Sequence, residues 1–129
     1  MESIRVLIVD DLSHVRNGLA TVLKLVSIQK RLEFDVIGEA QDGREAIQQA
    51  QSLHPDVILM DLEMPVMDGY KATRLFKQTT PAIWIIALTI HGDLISRQKA
   101  IHAGADAFVE KGAPLEELIQ KIQQCRRNP

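Results

Sequence analysis

The sequence predicts an α/β fold, a parallel, doubly wound sheet of five strands with five helices. Short apolar runs rich in β-branched residues recur along the chain, and an amphipathic helical pattern follows each of them. Strands and helices that alternate in this way form a parallel sheet with helices on both faces. The 129 residues, 46% of them hydrophobic, can bury one core, so one domain, residues 1–129, is expected.

Apolar runs bounded by polar or turn-forming residues predict the strands. The first run, VLIV in VLIVDD, has no polar residue and is therefore expected to be buried on both faces of the sheet. The five predicted strands are Ile4–Val9, Phe34–Ala40, Val57–Met60, Ile83–Leu88 and Ala107–Val109.

Between the strands, apolar residues recur three and four positions apart, which predicts helices with one buried face. The predicted buried sets of the first three helices are Val15, Leu19, Val22, Leu23 and Val26, then Ala46, Ile47, Ala50 and Leu53, then, after Gly69, Ala72, Leu75 and Phe76. Asp42 and Glu45 make a capping-box pattern at the start of the second helix, and Pro55 follows its end.

The last two helices are predicted from their ends as well as from their periodicity. The fourth runs roughly from Asp93 to Ala103, has weak periodicity, and stops at Gly104, a good C-terminal cap. The fifth has Pro114 in its first turn and Ala113 as its N-cap candidate. Its predicted buried residues are Leu115, Leu118, Ile119 and Ile122.

Composition and charge exclude several classes of function. A formal net charge of -2 leaves no basic surplus for direct nucleic-acid binding, and the basic pairs Lys30-Arg31 and Arg126-Arg127 are interpreted as solvated surface. The single cysteine, Cys125, allows neither an internal disulfide nor a cysteine metal site. The first apolar run is too short for a signal peptide or a membrane span, so no membrane partner and a cytoplasmic location are expected.

Polar residues follow four of the predicted strands, at the edge where open parallel sheets bind ligands. Asp10 and Asp11 follow the first strand, Asp61 the third, Thr89 the fourth and Lys111 the fifth. Two carboxylates ~6 Å apart at an effective dielectric of ~20 repel each other by about 3 kcal/mol, and three pairs meet here. Mg²⁺, which prefers oxygen ligands, would offset this repulsion, so the sequence predicts a magnesium site.

A cation at this edge would also let a phosphoryl group approach a carboxylate. The carboxylate of Asp61 can then attack phosphorus and form an acyl phosphate, while Thr89 and Lys111 donate hydrogen bonds to the phosphoryl oxygens. Each residue alone is more often a cap or a surface charge, and Asp11 or Ser13 could simply cap the first helix. The prediction therefore depends on the combination of residues at one edge.

This set of residues, in this order and at these spacings, resembles the receiver domain of two-component response regulators over essentially the whole chain. The matching positions are Asp10-Asp11, Asp61 in MDLEMPVMDG, Thr89, Gly104-Ala105 and Lys111. The resemblance implies the flavodoxin-like receiver fold and a phosphorylation-dependent switch whose Asp61 is phosphorylated by a sensor histidine kinase or a phosphotransfer protein. It implies no enzyme, only a self-phosphorylating receiver with slow autodephosphorylation at most.

The resemblance also implies metal ligands. Asp11 and Asp61 would bind Mg²⁺ directly, Asp10 would bind it through water, and the backbone carbonyl of Glu63 would complete the protein ligands.

A second group of residues would act on the phosphoryl group and on the switch. By the same resemblance, Thr89 and Lys111 would contact the phosphoryl group, and Phe108 would be the aromatic switch residue that follows Thr89, unless it is a static core aromatic. Glu63 and His91, two residues beyond Asp61 and Thr89, are interpreted as tuning the phosphoryl lifetime, or else as solvated loop residues. The fourth helix, fifth strand and fifth helix would present the changed surface to an output domain or a second copy.

The chain departs from the family pattern at two positions. Gly112 stands where a proline joined by a cis peptide is common, so no cis bond is implied. Ile90 stands where a small residue is common and would narrow access to the site. Together with the ending FVEKGAPLEELIQKI, a branched residue there is typical of receivers that carry a helix-turn-helix output domain.

Three other functions compete with this interpretation. Flavin binding would need a glycine- and hydroxyl-rich loop after the first strand, where Asp10 and Asp11 would repel a phosphate. A Mg²⁺-dependent aspartyl-phosphate phosphatase typically has a second aspartate two residues after the nucleophile, where this chain has Glu63, and it would turn over a small phosphate ester. A receiver-like interaction module that is never phosphorylated would not need the full acidic set.

Overall fold

The computed structural model describes residues 3–125, so Arg126 and Arg127 lie outside the described residues. In this part of the chain, five strands form one parallel sheet: β1 (Ile4–Val9), β2 (Phe34–Ala40), β3 (Val57–Asp61), β4 (Trp84–Thr89) and β5 (Ala107–Glu110). Their order is β2-β1-β3-β4-β5. The order reverses at β1 and β3, and the carboxyl ends of these two strands therefore border the crevice where such sheets bind ligands.

Helices connect the strands and confirm the predicted doubly wound α/β fold. They are α1 (Ser13–Gln29), α2 (Gly43–Leu53), α3 (Gly69–Thr79), α4 (Leu94–Ala103) and α5 (Leu115–Gln124). Side chains of Asp42 and Asp68 cap α2 and α3, because each accepts a hydrogen bond of 2.8 Å from a backbone amide in the first turn.

Two clusters of apolar side chains cover the two faces of the sheet. In β1, Val6 and Ile8 belong to the cluster packed by α1 and α5, while Leu7 and Val9 belong to the cluster packed by α2 and α3. This alternation follows from the two-residue repeat of a strand. All four side chains are buried, as the apolar run predicts, so the sheet holds the residues that follow β1 and β3 on a rigid base.

The predicted buried face of α1 is partly wrong. Ala20 and Leu23 are buried and Leu19 packs against them, but Val15 and Val22 are exposed by 36% and 42%. The cause is an excess of apolar residues: Leu25 and Ile28 are exposed as well. With apolar residues on more than one side of the helix, three- and four-residue spacing does not identify the side that packs.

The predicted N-caps of two helices and part of the predicted buried set also need correction. Pro114, not Ala113, is the N-cap of α5, and its carbonyl oxygen accepts a 3.0 Å hydrogen bond from the amide of Glu117. Leu12 is the N-cap of α1 and no side chain caps this helix, so neither Asp11 nor Ser13 is needed for capping. Ile47, Leu53, Leu75 and Leu115 are half-buried rather than buried, and Ile47 and Leu115 pack against the core with part of their surface exposed.

Candidate functional site

Three carboxylates converge where β1 and β3 end side by side. Val9 pairs with Met60 in the sheet, and Asp10 and Asp61 follow them directly. Asp10 and Asp61 are buried, and one carboxylate oxygen from each of Asp10, Asp11 and Asp61 lies within 4.8 Å of the others. Oxygen ligands of an octahedral Mg²⁺ lie roughly 3–4 Å apart when its bonds are ~2.1 Å, so this all-oxygen set fits such an ion after a small inward movement.

The backbone around the carboxylates is held in place by close contacts. The amide of Leu12 donates a 2.9 Å hydrogen bond to Oδ1 of Asp10, which fixes the orientation of that carboxylate. Gly69, at the start of α3, lies against the end of β3, and a Cβ at this position would collide with the carbonyl oxygen of Asp61. Glycine therefore permits the approach of α3 to the site.

Lys111 bridges two of the buried carboxylates. Its Nζ lies 2.9 Å from Oδ2 of Asp10 and 3.2 Å from Oδ1 of Asp61. Burial alone would lower the pKa of Lys111, but the hydrogen bond to Asp10 and the charges of Asp61 and Asp10 outweigh it, so this pKa is raised and the side chain stays an ammonium. Gly112 follows with φ of +92°, a conformation that glycine adopts without strain.

The pKa of Asp61 is raised from 3.8 to about 7. Burial is the largest cause, and the charge of Asp10 adds to it, while the charge and hydrogen bond of Lys111 oppose both. A carboxyl group with this pKa is only partly ionised at neutral pH. Since the anion is the nucleophile, a cation that stabilises the charged form would increase the reactive fraction.

Thr89 lies beside Asp61 and its hydroxyl is already engaged. Thr89 is buried, and its Oγ1 donates a 2.8 Å hydrogen bond to Oε1 of Glu63 while accepting one of 3.0 Å from the backbone amide of His91. The amide of Glu63 in turn lies 3.4 Å from Oδ1 of Asp61. The predicted tuning residues thus both contact Thr89, Glu63 through its side chain and His91 through its backbone, while the His91 side chain is exposed.

Phe108 lies outside the acidic cluster, on the neighbouring strand. It pairs with Ala87 in the sheet, is half-buried, and packs against Leu62, Ala87 and Ala100. The guanidinium carbon of Arg97 in α4 lies 5.8 Å from the centre of its ring. Phe108 is therefore partly accessible rather than enclosed in the core.

Sequence reasoning missed Arg16 and the pairing of Glu39. Nη1 of Arg16 donates a 2.6 Å hydrogen bond to the carbonyl oxygen of Asp10, and its Nε lies 3.1 Å from Oε1 of Glu39. Glu39, at the end of β2, was not predicted to belong to the site. Glu39 follows the same sheet edge as Asp10, and a basic residue lies in the first turn of α1. These two features together could have indicated the ion pair.

Removing one of the three negative charges should relieve their repulsion. We expect Asp11→Asn to raise the melting temperature of the metal-free protein by several degrees, because it removes about 1–3 kcal/mol of repulsion, and to weaken Mg²⁺ binding. Differential scanning fluorimetry with and without Mg²⁺ measures both. A lower metal-free melting temperature together with unchanged Mg²⁺ affinity would contradict the metal-site account.

The fold and the composition of this edge define a class of protein: a receiver, the phosphorylation-dependent signalling switch of response regulators. Residues 6–123 match the response regulator receiver domain family, and the chain belongs to that family. It is therefore a receiver domain and not a conventional enzyme. Within residues 3–125, every helix is too short or too polar to span a bilayer.

Known proteins with similar sequences include a response regulator and a transcriptional regulatory protein. The response regulator GacA of Pseudomonas viridiflava is 37% identical over 120 residues, which are 93% of this chain and 54% of that protein. The transcriptional regulatory protein LnrK of Bacillus subtilis is 34% identical over 119 residues, 92% of this chain and 52% of that protein. The chain thus spans about half the length of these relatives.

Solved structures agree with this family assignment. A two-component response regulator of the LuxR family from Aurantimonas sp. superposes with a TM-score of 0.83 at 34% identity, covering 95% of this chain and 84% of that one. The response regulator domain of Thermotoga maritima CheB gives a TM-score of 0.80 at 30% identity, covering 99% of each chain.

Proposed function

We propose that this receiver accepts a phosphoryl group on Asp61 from a sensor histidine kinase or a phosphotransfer protein, with Mg²⁺ as cofactor and in the cytoplasm. One observation carries the proposal: Asp61 is a buried carboxylate at the crevice of the sheet, 3.2 Å from the ammonium of Lys111 and clustered with Asp10 and Asp11. Burial, the main cause of its raised pKa, leaves the carboxylate poorly solvated, which suits a nucleophile.

The reaction would proceed by attack of an Asp61 carboxylate oxygen on phosphorus. A new O–P bond forms, and the bond between phosphorus and the donor breaks, so that its electron pair leaves on the imidazole of a phosphohistidine or on acetate from acetyl phosphate. Lys111 can exchange its contact with Asp61 for one with a phosphoryl oxygen while remaining paired with Asp10. It would thereby offset the charge that develops on that oxygen.

The residues at the crevice suit a hard divalent cation because every ligand atom that the side chains of Asp10, Asp11 and Asp61 offer is a carboxylate oxygen. Asp11 and Asp61 would hold Mg²⁺ directly, Asp10 through water, and Glu63 through its backbone carbonyl. When bound, Mg²⁺ supplies positive charge that offsets the repulsion between the incoming phosphoryl group and these carboxylates.

Intact-mass spectrometry tests the proposal and separates it from phosphatase activity. We expect acetyl phosphate with Mg²⁺ to add one phosphoryl group per chain, and a metal chelator to prevent it. A phosphatase would instead turn over a small phosphate ester continuously, and an interaction module would stay unlabelled. Either of these results would contradict the proposal.

Glu63 and His91 are expected to tune the lifetime of the phosphorylated state, because the Glu63 side chain contacts Thr89 and the exposed His91 side chain, two residues beyond Thr89, can position or obstruct the attacking water. Glu63→Ala and His91→Ala should change the rate of dephosphorylation and leave labelling intact. Time-resolved intact mass after removal of acetyl phosphate measures the decay, and Glu116→Ala, at an exposed position of α5, is the matched control. Decay at the parent rate in both single variants and in the double variant would count against this role.

Thr89 and Phe108 are expected to couple phosphorylation to the output surface. If the Thr89 hydroxyl turns toward the phosphoryl oxygens, Phe108 can rotate toward the space it leaves without burying an unpaired polar group. Thr89→Ala should still be labelled but should blunt the NMR shift changes at Phe108 and α4. Phe108→Ala should be labelled and lose phosphorylation-dependent dimerisation or partner binding. Normal transmission in both variants would refute the switch.

The surface of α4, β5 and α5 supports a role as the output face. Leu94, Ile95 and Ile101 on α4 are all more than half exposed, an unusual amount of apolar surface for one short helix. An output domain or a second copy of the receiver would cover it. The relatives are about twice as long as this chain, which leaves room in them for an output domain.

A further inference from the structure

The hydroxyl of Thr89 is committed to Glu63 in this structure. A hydroxyl has one hydrogen to donate, and Thr89 donates it to Oε1 of Glu63 over 2.8 Å. A phosphoryl group on Asp61 needs the same hydrogen. Since Thr89 can donate to only one acceptor at a time, the Glu63 carboxylate and the phosphoryl oxygens compete for it.

We propose that the Glu63 carboxylate is a latch that holds Thr89 in the position it has without phosphorylation. The latch sets the free energy that the phosphoryl group must supply to move Thr89. The latch rests on the proposed function, because it needs Asp61 as the phosphoryl acceptor. It differs from an effect on lifetime: it alters the equilibrium between the two positions of Thr89, whether or not hydrolysis of the acyl phosphate changes.

The geometry makes this competition one-sided before phosphorylation. The hydrogen bond from Thr89 to the Glu63 carboxylate is short, and Thr89 is fully buried, so water does not reach the hydroxyl even though Glu63 itself is exposed. The amide of His91 donates to the same oxygen and holds it from the other side. A phosphoryl group with two negative charges is the stronger acceptor and also repels Glu63, so phosphorylation favours release.

Release of Glu63 from Thr89 would also change the electrostatic surroundings of α4, through Tyr70. Burial first, and then the charge of Glu63, raise the pKa of the Tyr70 hydroxyl, while a hydrogen bond with Ser96 in α4 opposes them. The ammonium of Lys99, also in α4, lies 4.8 Å from the centre of the Tyr70 ring. In the described chain only Ala100 and Ala103 of α4 are buried, so few contacts oppose a shift of this helix.

A double-mutant cycle tests the latch with beryllofluoride and Mg²⁺ as the phosphoryl mimic. Glu63→Ala keeps the backbone carbonyl and removes the acceptor, so we expect half-saturation at about tenfold lower beryllofluoride, the effect of one charged hydrogen bond. Glu63→Gln should lie between Glu63→Ala and the parent. In the Thr89→Ala background Glu63→Ala should change nothing, because the competing hydroxyl is already absent. Glu110→Gln, which removes another exposed charge near the β4–α4 loop, should bind as the parent does.

A second readout is taken from the variant with no phosphoryl mimic bound, and the beryllofluoride-bound parent supplies only the reference positions. In metal-free Glu63→Ala, the NMR signals of the Thr89 methyl group and of α4 amides should shift part of the way toward their positions in the beryllofluoride-bound parent.

Three results would overturn the latch: parent-like binding and spectra for Glu63→Ala, an equal gain in the Thr89→Ala background, or an equal gain from Glu110→Gln. The last two would assign the effect to charge alone. A parent chain that does not bind beryllofluoride at all would instead contradict the proposed function. The latch is then still tested by the two metal-free proteins, because Glu63→Ala should shift the α4 amide signals relative to the parent, and unchanged α4 signals would overturn it.

Discussion

Asp61→Asn is expected to abolish phosphoryl labelling completely, because an amide oxygen is not a nucleophile toward phosphorus at neutral pH. The substitution preserves the shape of the side chain and leaves the backbone of β3 unchanged, so loss of labelling will not reflect unfolding. Intact mass after acetyl phosphate and Mg²⁺ measures the result, and circular dichroism verifies the fold. Asp35→Asn, an exposed aspartate near the start of β2, is the matched control and should be labelled as the parent is.

The same substitution should flatten the dependence of stability on pH. Asp61 has a pKa of about 7 in the fold against 3.8 as the ordinary value, so the folded chain binds more protons than the unfolded chain between these pH values. The free energy of unfolding of the metal-free parent should therefore fall as pH rises from about 4 to about 7. In urea titrations, Asp61→Asn should lack this fall in the free energy of unfolding and should be more stable than the parent at pH 8. A parent-like slope in the variant would contradict the raised pKa.

Lys111→Met is expected to slow phosphorylation of Asp61 by about 10²–10³-fold, the typical effect of removing one donor that stabilises a developing anion. It also removes the counter-charge of Asp10 and Asp61, so the pKa of Asp61 should rise further and less of it will be ionised. The rate of labelling by acetyl phosphate measures the loss of phosphorylation. NMR titration of the Asp61 carboxyl carbon measures the change in its pKa.

Lys24→Met, on the exposed side of α1, is the control and should be labelled at the parent rate. A Lys111→Met variant labelled within a few-fold of the parent rate would show that Lys111 serves only to pair the two aspartates.

The strands and the positions at their carboxyl ends were predictable from sequence because they depend on local information. A fully apolar run such as Val6–Val9 can only be a buried segment, and the observed strands differ from the predicted ones by at most one residue at either end. Once the sheet is parallel, its topology brings Asp10, Asp11 and Asp61 to one edge without further detail.

Contacts between loops and the choice of packed helix face were not predictable. The hydrogen bond between Thr89 and Glu63 joins residues 26 positions apart and depends on the conformation of the loop after β3, which no periodicity encodes. The face of α1 was misassigned at Val15 and Val22 because apolar residues occupy more than one side of that helix. Phe108 is neither fully buried nor exposed, so neither interpretation of it was excluded by sequence.

Chemical mapping of the phosphorylated residue tests the central claim most directly. Borohydride reduces an aspartyl phosphate to homoserine, which marks the acceptor permanently and can be located by peptide mass spectrometry. After treatment with acetyl phosphate and Mg²⁺, the account predicts homoserine at position 61 and unmodified aspartate at positions 10 and 11. Homoserine at position 10 or 11, or a stable phosphoryl group on a serine, threonine or histidine with position 61 unmodified, would contradict it.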